Sequence, residues 1–164
     1  MDLGEAYDRY AAQLYRHALA ITRSGPDAED AVQSAFLKLT SRSRSRGTIA
    51  DMESYLHVAV RREAVRLVEL RRGAGSRLGL DPGPGDGPEP HLVAPQNGLG
   101  LEEVETLNAA LAALPSEQRE VVLLHNYEGM TFRRIGEVLG IPADTAASRH
   151  RYAIAKLKER LDGR

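Results

Sequence analysis

The chain has 164 residues, a formal net charge of −1 and no cysteine, which excludes a disulfide framework and a thiolate metal site and gives no bulk basic charge toward nucleic acid. Its 42% hydrophobic and 27% charged content is that of a soluble globular protein, large enough for one domain or two small ones. No apolar run reaches membrane-span length and the N-terminus lacks a signal-peptide pattern, so a cytoplasmic protein is expected.

The first predicted helix carries Leu3, Tyr7, Tyr10, Leu14, Ala18 and Ile21 at steps of three and four, a core-facing stripe. A second starts near Pro26, where the dipole of the first turn favours Asp27, Glu29 and Asp30. Its expected buried residues are Val32, Ala35, Phe36 and Leu39, leaving Asp30, Gln33 and Lys38 more exposed. A Ser/Arg run over 41–47 separates it from a third helix, about 51–72, with Met52, Leu56, Ala59 and Leu67 inside and a stop at Gly73. Arg61, Arg62, Arg66, Arg71 and Arg72 make the rest of that helix basic. Taken alone this is any three-helix bundle, and its basic helix reads as well as a solvated face as a binding one.

Residues 73–100 hold eight glycines and five prolines, too little apolar surface to offset the entropy of ordering. The stretch is expected to be a flexible linker with a root-mean-square span of roughly 30 Å and a taut reach of about 90 Å. Two modules on a tether are therefore predicted: 1–72, then the linker 73–100, then 101–164.

In the second module, Phe132, Ile135, Val138 and Leu139 share one face of a short helix that ends at Gly140-Ile141-Pro142. Pro142 suits the first position of a new helix. That helix, running to about Leu161, turns Ala146, Ala153 and Leu157 inward. Ser148, Arg151 and Tyr152 stand opposite, with Arg149 and Lys156 on the flank. The pattern is a helix-turn-helix whose second helix suits a DNA major groove, although a helical hairpin with a solvated basic face has the same spacing. Charge distribution decides between them. Residues 101–128 hold six acids against one base, Arg119, whereas 129–164 hold eight bases against four acids, which puts positive charge where phosphates are met. The five histidines form no close pair on a helix face, and no nucleophile–base set, phosphate loop or metal spacing occurs, so neither a metal, a cofactor nor an enzyme is expected.

Both halves carry a resemblance. Tyr7-Asp-Arg-Tyr10, Asp27-Ala-Glu-Asp-Ala-Val-Gln33 and Ala35-Phe-Leu-Lys-Leu39 resemble region 2 of bacterial sigma factors. Leu114-Pro-Ser-Glu-Gln-Arg-Glu-Val-Val122, Tyr127-Glu-Gly-Met-Thr131, Ile135-Gly-Glu-Val-Leu-Gly-Ile-Pro142 and Thr145-Ala-Ala-Ser-Arg149 resemble region 4. With only the linker between them, the chain is similar to the extracytoplasmic-function (ECF) subfamily of the sigma-70 family. The resemblance implies an all-α protein of two small helical domains, region 2 over 1–72 and region 4 over 101–164.

What the resemblance further implies is a promoter-specificity subunit with no active site. Region 2 would dock Asp27, Asp30, Gln33 and Lys38 on the clamp helices of the largest polymerase subunit, an acidic face suited to a basic coiled coil. Region 4 would pack on the flap of the second-largest subunit and read the −35 element. Thr145, Ala147, Ser148, Arg149, Arg151, Tyr152 and Lys156 form its recognition surface. Within that surface Ser148, Arg151 and Tyr152 are the base-edge candidates and Ala147 a thymine-methyl contact. Arg149, Lys156, Arg133 and Arg134 are the phosphate contacts. The −10 element would be held by Arg44, Arg46, Tyr55, Arg61, Arg62 and Arg66. Here the chain departs from the family: Tyr55 stands where a tryptophan is frequent, Arg62 where an asparagine is and Arg66 where an aspartate is. Strand capture is therefore expected to lean on charge rather than aromatic stacking. Promoter DNA, core polymerase and an anti-sigma factor are the implied partners. A stand-alone helix-turn-helix regulator of the LuxR type and a sigma-derived interaction protein are the other two readings.

Overall fold

The computed structural model describes residues 2–43, 49–77, 92–93 and 98–163. Every regular element among them is helical: α1 (Leu3–Thr22), α2 (Gly25–Ser43), α3 (Met52–Arg77), α4 (Leu101–Ala112), α5 (Ser116–Val122), α6 (Phe132–Leu139) and α7 (Ala143–Asp162), with a π-helical turn, Leu123–Tyr127, continuing α5. The chain separates into two compact units, residues 1–89 and 90–164.

Unit 1 is a bundle in which α1, α2 and α3 all pack on one another. A reciprocal cap starts α1: the Glu5 N–H donates to Asp2 Oδ1 (2.8 Å) and the Asp2 N–H to Glu5 Oε2 (2.9 Å). The core combines Tyr10, Leu14, Ala18 and Ile21 with Val32, Ala35, Phe36 and Leu39 and with Leu56, Val60 and Ala64. Leu3 and Tyr7, expected inside, are exposed in the first turns of α1, although the Tyr7 ring still lies 5.1 Å from that of Phe36.

The buried face of α3 also differs from the expected one. Leu56, His57, Val60, Glu63 and Ala64 are buried, while Met52, Ala59 and Leu67 are only partly covered. The face turns because two polar residues on it have partners. His57 Nδ1 meets His17 Nδ1 at 2.9 Å in the core, and Glu63 receives Lys38 and Arg66. Nor does α3 stop at Gly73. It continues to Arg77 across Gly73 and Gly75, each of which costs a helix only about 1 kcal/mol against alanine.

Unit 2 begins inside the stretch read as linker. Leu92 and Val93 are buried, because the Asn108 side chain grips the Val93 backbone at both ends: Oδ1 accepts its N–H and Nδ2 donates to its carbonyl, each at 2.9 Å. Arg119, on α5, is 3% exposed and closes the corner between α4 and α5. Its guanidinium donates to the carbonyls of Leu111 (3.0 Å), Ala112 (2.9 Å) and Leu114 (2.7 Å) around the end of α4, where helical partners run out; the Leu111 carbonyl also accepts the Leu114 N–H at 3.1 Å. Val121, Val122, Leu123 and Leu124 continue the core toward α6 and α7.

Candidate nucleic-acid interface

The corner between α6 and α7 fixes the direction of α7. Thr131 caps α6 by accepting the Arg134 N–H at 3.2 Å, and Gly140 ends it at φ 69°, the left-handed conformation that glycine adopts without cost. The Gly136 carbonyl then accepts the Ile141 N–H at 3.0 Å. This tight return brings the Ile141 carbonyl within 2.6 Å of where a Gly136 side chain would begin, so no larger residue fits there. Pro142, expected as the first helical residue, is instead the N-cap of α7, and Ala143 opens the helix one position later.

Ala146, Ala153 and Leu157 of α7 are buried, as expected, and seat the helix on its neighbours. On its outer face Arg151, Tyr152 and Lys156 are exposed, with Tyr152 at 58%, while Thr145, Ala147 and Ser148 are half-buried near its start. The Arg151 guanidinium lies 5.4 Å from the Tyr152 ring centre, so the two side chains form one cationic, aromatic surface. Arg149 behaves differently from the flank position expected of it. Its side chain is 24% exposed and reaches Glu117 of α5 at 3.6 Å, which ties α7 to α5. On α6, Arg133 is exposed and pairs loosely with Glu137 at 3.5 Å, while Arg134 is half-buried.

A ring cluster that the sequence reading did not single out braces α7 from beneath. His125, in the π-helical turn, stacks on Phe132 with centroids 4.3 Å apart and meets His150 edge-on at 4.7 Å. His125 Nδ1 lies 2.8 Å from the Met130 carbonyl, and His150 Nε2 lies 2.8 Å from Asn126 Oδ1. Burial, reinforced by His125, holds the His150 imidazole below its ordinary pKa and so favours its neutral form. The signal available in the sequence was the recurrence of ring residues at 125, 132 and 150, which no single helical period connects.

In unit 1, Asp30 and Gln33 are exposed on α2, and Leu37 stands one turn beyond Gln33 on the same face with 68% exposure. Sequence patterning missed Leu37 because it sits among residues of the core-forming run Ala35–Leu39. Asp27, expected on that face, is half-buried instead. It accepts an ion pair from Arg71 Nη1 at 2.9 Å while Arg71 Nη2 donates to the Thr22 carbonyl at 2.6 Å, so one guanidinium locks the junction of α1 and α2. Lys38, although exposed, is paired with Glu63. Of the residues expected at the −10 element, Arg62 and Arg66 are exposed on α3, Arg61 is half-buried, and Tyr55 is half-buried with the Arg42 guanidinium 5.2 Å from its ring centre. Arg44 and Arg46 lie outside the described residues. Among the described residues there is no group of three or more His, Cys, Asp or Glu side chains placed to hold a metal ion.

Comparison with known proteins agrees with this arrangement. The family model described as Sigma-70 region 2 matches residues 6–74, and that described as Sigma-70, region 4 matches residues 110–159. The chain is 30% identical over 161 residues to the ECF RNA polymerase sigma factor SigE of Mycolicibacterium smegmatis, covering 96% of this chain but 60% of that protein. It is 29% identical over 153 residues to the ECF RNA polymerase sigma factor SigL of Mycobacterium tuberculosis, with 93% and 84% covered. The ferric citrate uptake sigma factor FecI of Escherichia coli is 31% identical over 122 residues, 73% of this chain and 67% of FecI. Among solved structures, the fold resembles the sigma factor RpoE in complex with the anti-sigma factor NepR from Bartonella quintana. That match has a TM-score of 0.75 at 21% identity and covers 96% of this chain and 97% of that one. It also resembles CnrH in complex with the cytosolic domain of CnrY, with a TM-score of 0.67 at 22% identity over 98% and 88%.

Proposed function

The chain belongs to the sigma-70 family of RNA polymerase sigma factors, in its extracytoplasmic-function group, and from that premise we propose that it binds core polymerase and directs initiation at a specific class of promoter. The observation that carries this reading is the outer face of α7. A helix seated by Ala146, Ala153 and Leu157 offers Ser148, Arg151 and Tyr152 outward at the end of a sharply fixed corner.

In this reading Ser148, Arg151 and Tyr152 meet base edges of the −35 element, Ala147 meets a thymine methyl, and Thr145 lies at the entry of the helix. Lys156, Arg133 and Arg134 meet phosphates, which orient the helix without reading sequence. Arg149 acts through its pairing with Glu117 as a positioning residue for α7. In unit 1, Asp30 and Gln33 dock on the clamp helices of the largest subunit, and exposed Leu37 gives that face an apolar centre. Unit 2 packs on the flap of the second-largest subunit. Arg61 and Arg62, with Tyr55 beside them and with Arg44 and Arg46 preceding α3, hold the opened −10 strand mainly by charge.

An anti-sigma factor is the proposed regulator; the RpoE and CnrH structures are described as complexes with an anti-sigma factor and with the cytosolic domain of CnrY, respectively. The family is a class of non-enzymatic transcription factors. No helix among the described residues is long and apolar enough to cross a membrane; action beside polymerase in the cytoplasm is part of the proposal.

The test is transcription in vitro with core polymerase on a library of genomic fragments. Start sites sharing a common upstream sequence are the expected result. Sequence-specific DNA binding by the protein alone, with no initiation above that of core polymerase, would instead establish a stand-alone regulator.

A further inference from the structure

Lys38 and Arg66 come from different helices, yet they converge on one carboxylate. Lys38 Nζ of α2 contacts Glu63 Oε1, and Arg66 of α3 binds Glu63 Oε2 through both Nε and Nη2 at 3.1 Å. The Glu63 residue is 5% exposed, whereas the two cationic side chains are more than half exposed. Hydrogen bonding to Lys38, against the opposing effect of burial and with help from Arg66, keeps the carboxyl group below its ordinary pKa, so it is ionised. Two exposed cations gathered on a single anionic point are the arrangement that a nucleic-acid phosphate would fill. Here an internal carboxylate already fills it.

We infer that Glu63 acts as a built-in phosphate mimic, withholding Lys38 and Arg66 from DNA and so weakening the binding of DNA by the full chain in the absence of polymerase. The inference rests on the reading of α3 as a DNA-facing helix. To meet a phosphate, either cation must loosen its hold on Glu63 and leave a buried negative charge less compensated, which opposes the gain. Arg62, one turn before Arg66 on the same helix, is exposed and has a neutral neighbour in Ala59 one turn back, so α3 retains a cation for the opened strand. Glu63 is thus a specificity-determining residue that touches no DNA. It lowers the number of phosphates that unit 1 neutralises, the quantity that sets non-specific affinity.

The experiment measures binding of the full chain to a fluorescent random-sequence duplex across about 50–200 mM salt, where each added phosphate contact steepens the slope of log K against log salt by about 0.9. Glu63→Gln is expected to steepen the slope by one or two such steps and to tighten binding about eightfold per contact at about 0.1 M salt. The triple variant Lys38→Gln, Glu63→Gln, Arg66→Gln is expected to lose that gain. Glu69→Gln, which removes an exposed acid from the same helix, is expected to leave the slope unchanged. An unchanged slope in Glu63→Gln, weaker binding, an equal gain in Glu69→Gln or a gain that survives in the triple variant would each overturn the inference.

A measurement on the unmodified protein does not depend on how the variants fold. Lys38 should be acetylated by an amine-directed reagent at the same rate with and without the duplex, as read by mass spectrometry. Protection of Lys38 by the duplex would overturn the inference. None of these readouts uses polymerase, so they stand apart from the transcription assay that tests the sigma reading itself.

Discussion

The two units use their charges in opposite ways. On α7 of unit 2, the side chains that seat the helix and those that face outward are different residues: Ala146, Ala153 and Leu157 do the first, Arg151, Tyr152 and Lys156 the second. In unit 1 the same residues do both. Asp27 is held by Arg71, Lys38 and Arg66 are held by Glu63, and Arg42 lies over Tyr55. The contrast shows that a count of exposed bases measures binding capacity only where those bases have no internal carboxylate to satisfy. A recognition surface of the first kind is legible from sequence spacing, whereas the second kind needs the tertiary pairing.

Five measurements sharpen or break this contrast. The largest effect is expected from Arg119→Ala, which removes the buried side-chain donor shared by three carbonyls and should destabilise unit 2 by about 3 kcal/mol in urea unfolding, with unit 1 unaffected. A small change there would mean that the α4–α5 corner is held by packing alone. Next, Arg151→Ala should reduce discrimination at one position of the −35 element by about 1–3 kcal/mol and leave stability unchanged. Lys156→Ala should instead weaken binding to all sequences alike and lower the salt slope by about 0.9. If both variants behave as Lys156→Ala, the outer face of α7 positions the helix without reading bases.

Arg71→Ala is the counterpart in unit 1. Losing the Asp27 pair and the Thr22 carbonyl contact should cost about 1–2 kcal/mol of stability, measured by thermal unfolding. The smallest effect is that of pH on unit 2. The folded state holds His150 below its ordinary pKa, while the unfolded chain takes up the proton near pH 6.5. Stability from this source is therefore complete above about pH 6.5 and declines as pH falls toward the lower folded value. Melting of the wild type at about pH 7.5 and 5.5 should show the decline, and His150→Gln should remove it.

Most of the helical framework was legible because its stripes are apolar. Leu14, Ala18 and Ile21 of α1 and all three inner residues of α7 are buried where periodicity puts them. The reading of α3 erred for a physical reason. His57 and Glu63 are polar and so read as outward, but His17, Lys38 and Arg66 complete their hydrogen bonding and turn them in. Nothing local marks those partners, which lie twenty-five to forty residues away in the chain for His17 and Lys38. The same holds for Val93, an apolar residue in a Gly/Pro-rich stretch whose burial depends on Asn108. The recognition face of α7 was readable as a list of residues. The inward reach of Arg149 was not, because Glu117 belongs to an earlier helix.

The burial of Arg119 has an electrostatic consequence that reaches beyond its hydrogen bonds. It is the one base among residues 101–128, so its removal to the interior leaves the surface of that segment with acids alone: Glu102, Glu103, Glu105 and Glu117 exposed and Glu128 partly so. The α4–α5 segment therefore offers solvent an acidic surface, of which Glu117 meets Arg149 of α7 at 3.6 Å. Under the proposed function those acids repel a polyanion, which disfavours an approach to DNA through α4 and α5. A side chain that never meets the solvent thus helps decide which way the domain faces when it arrives.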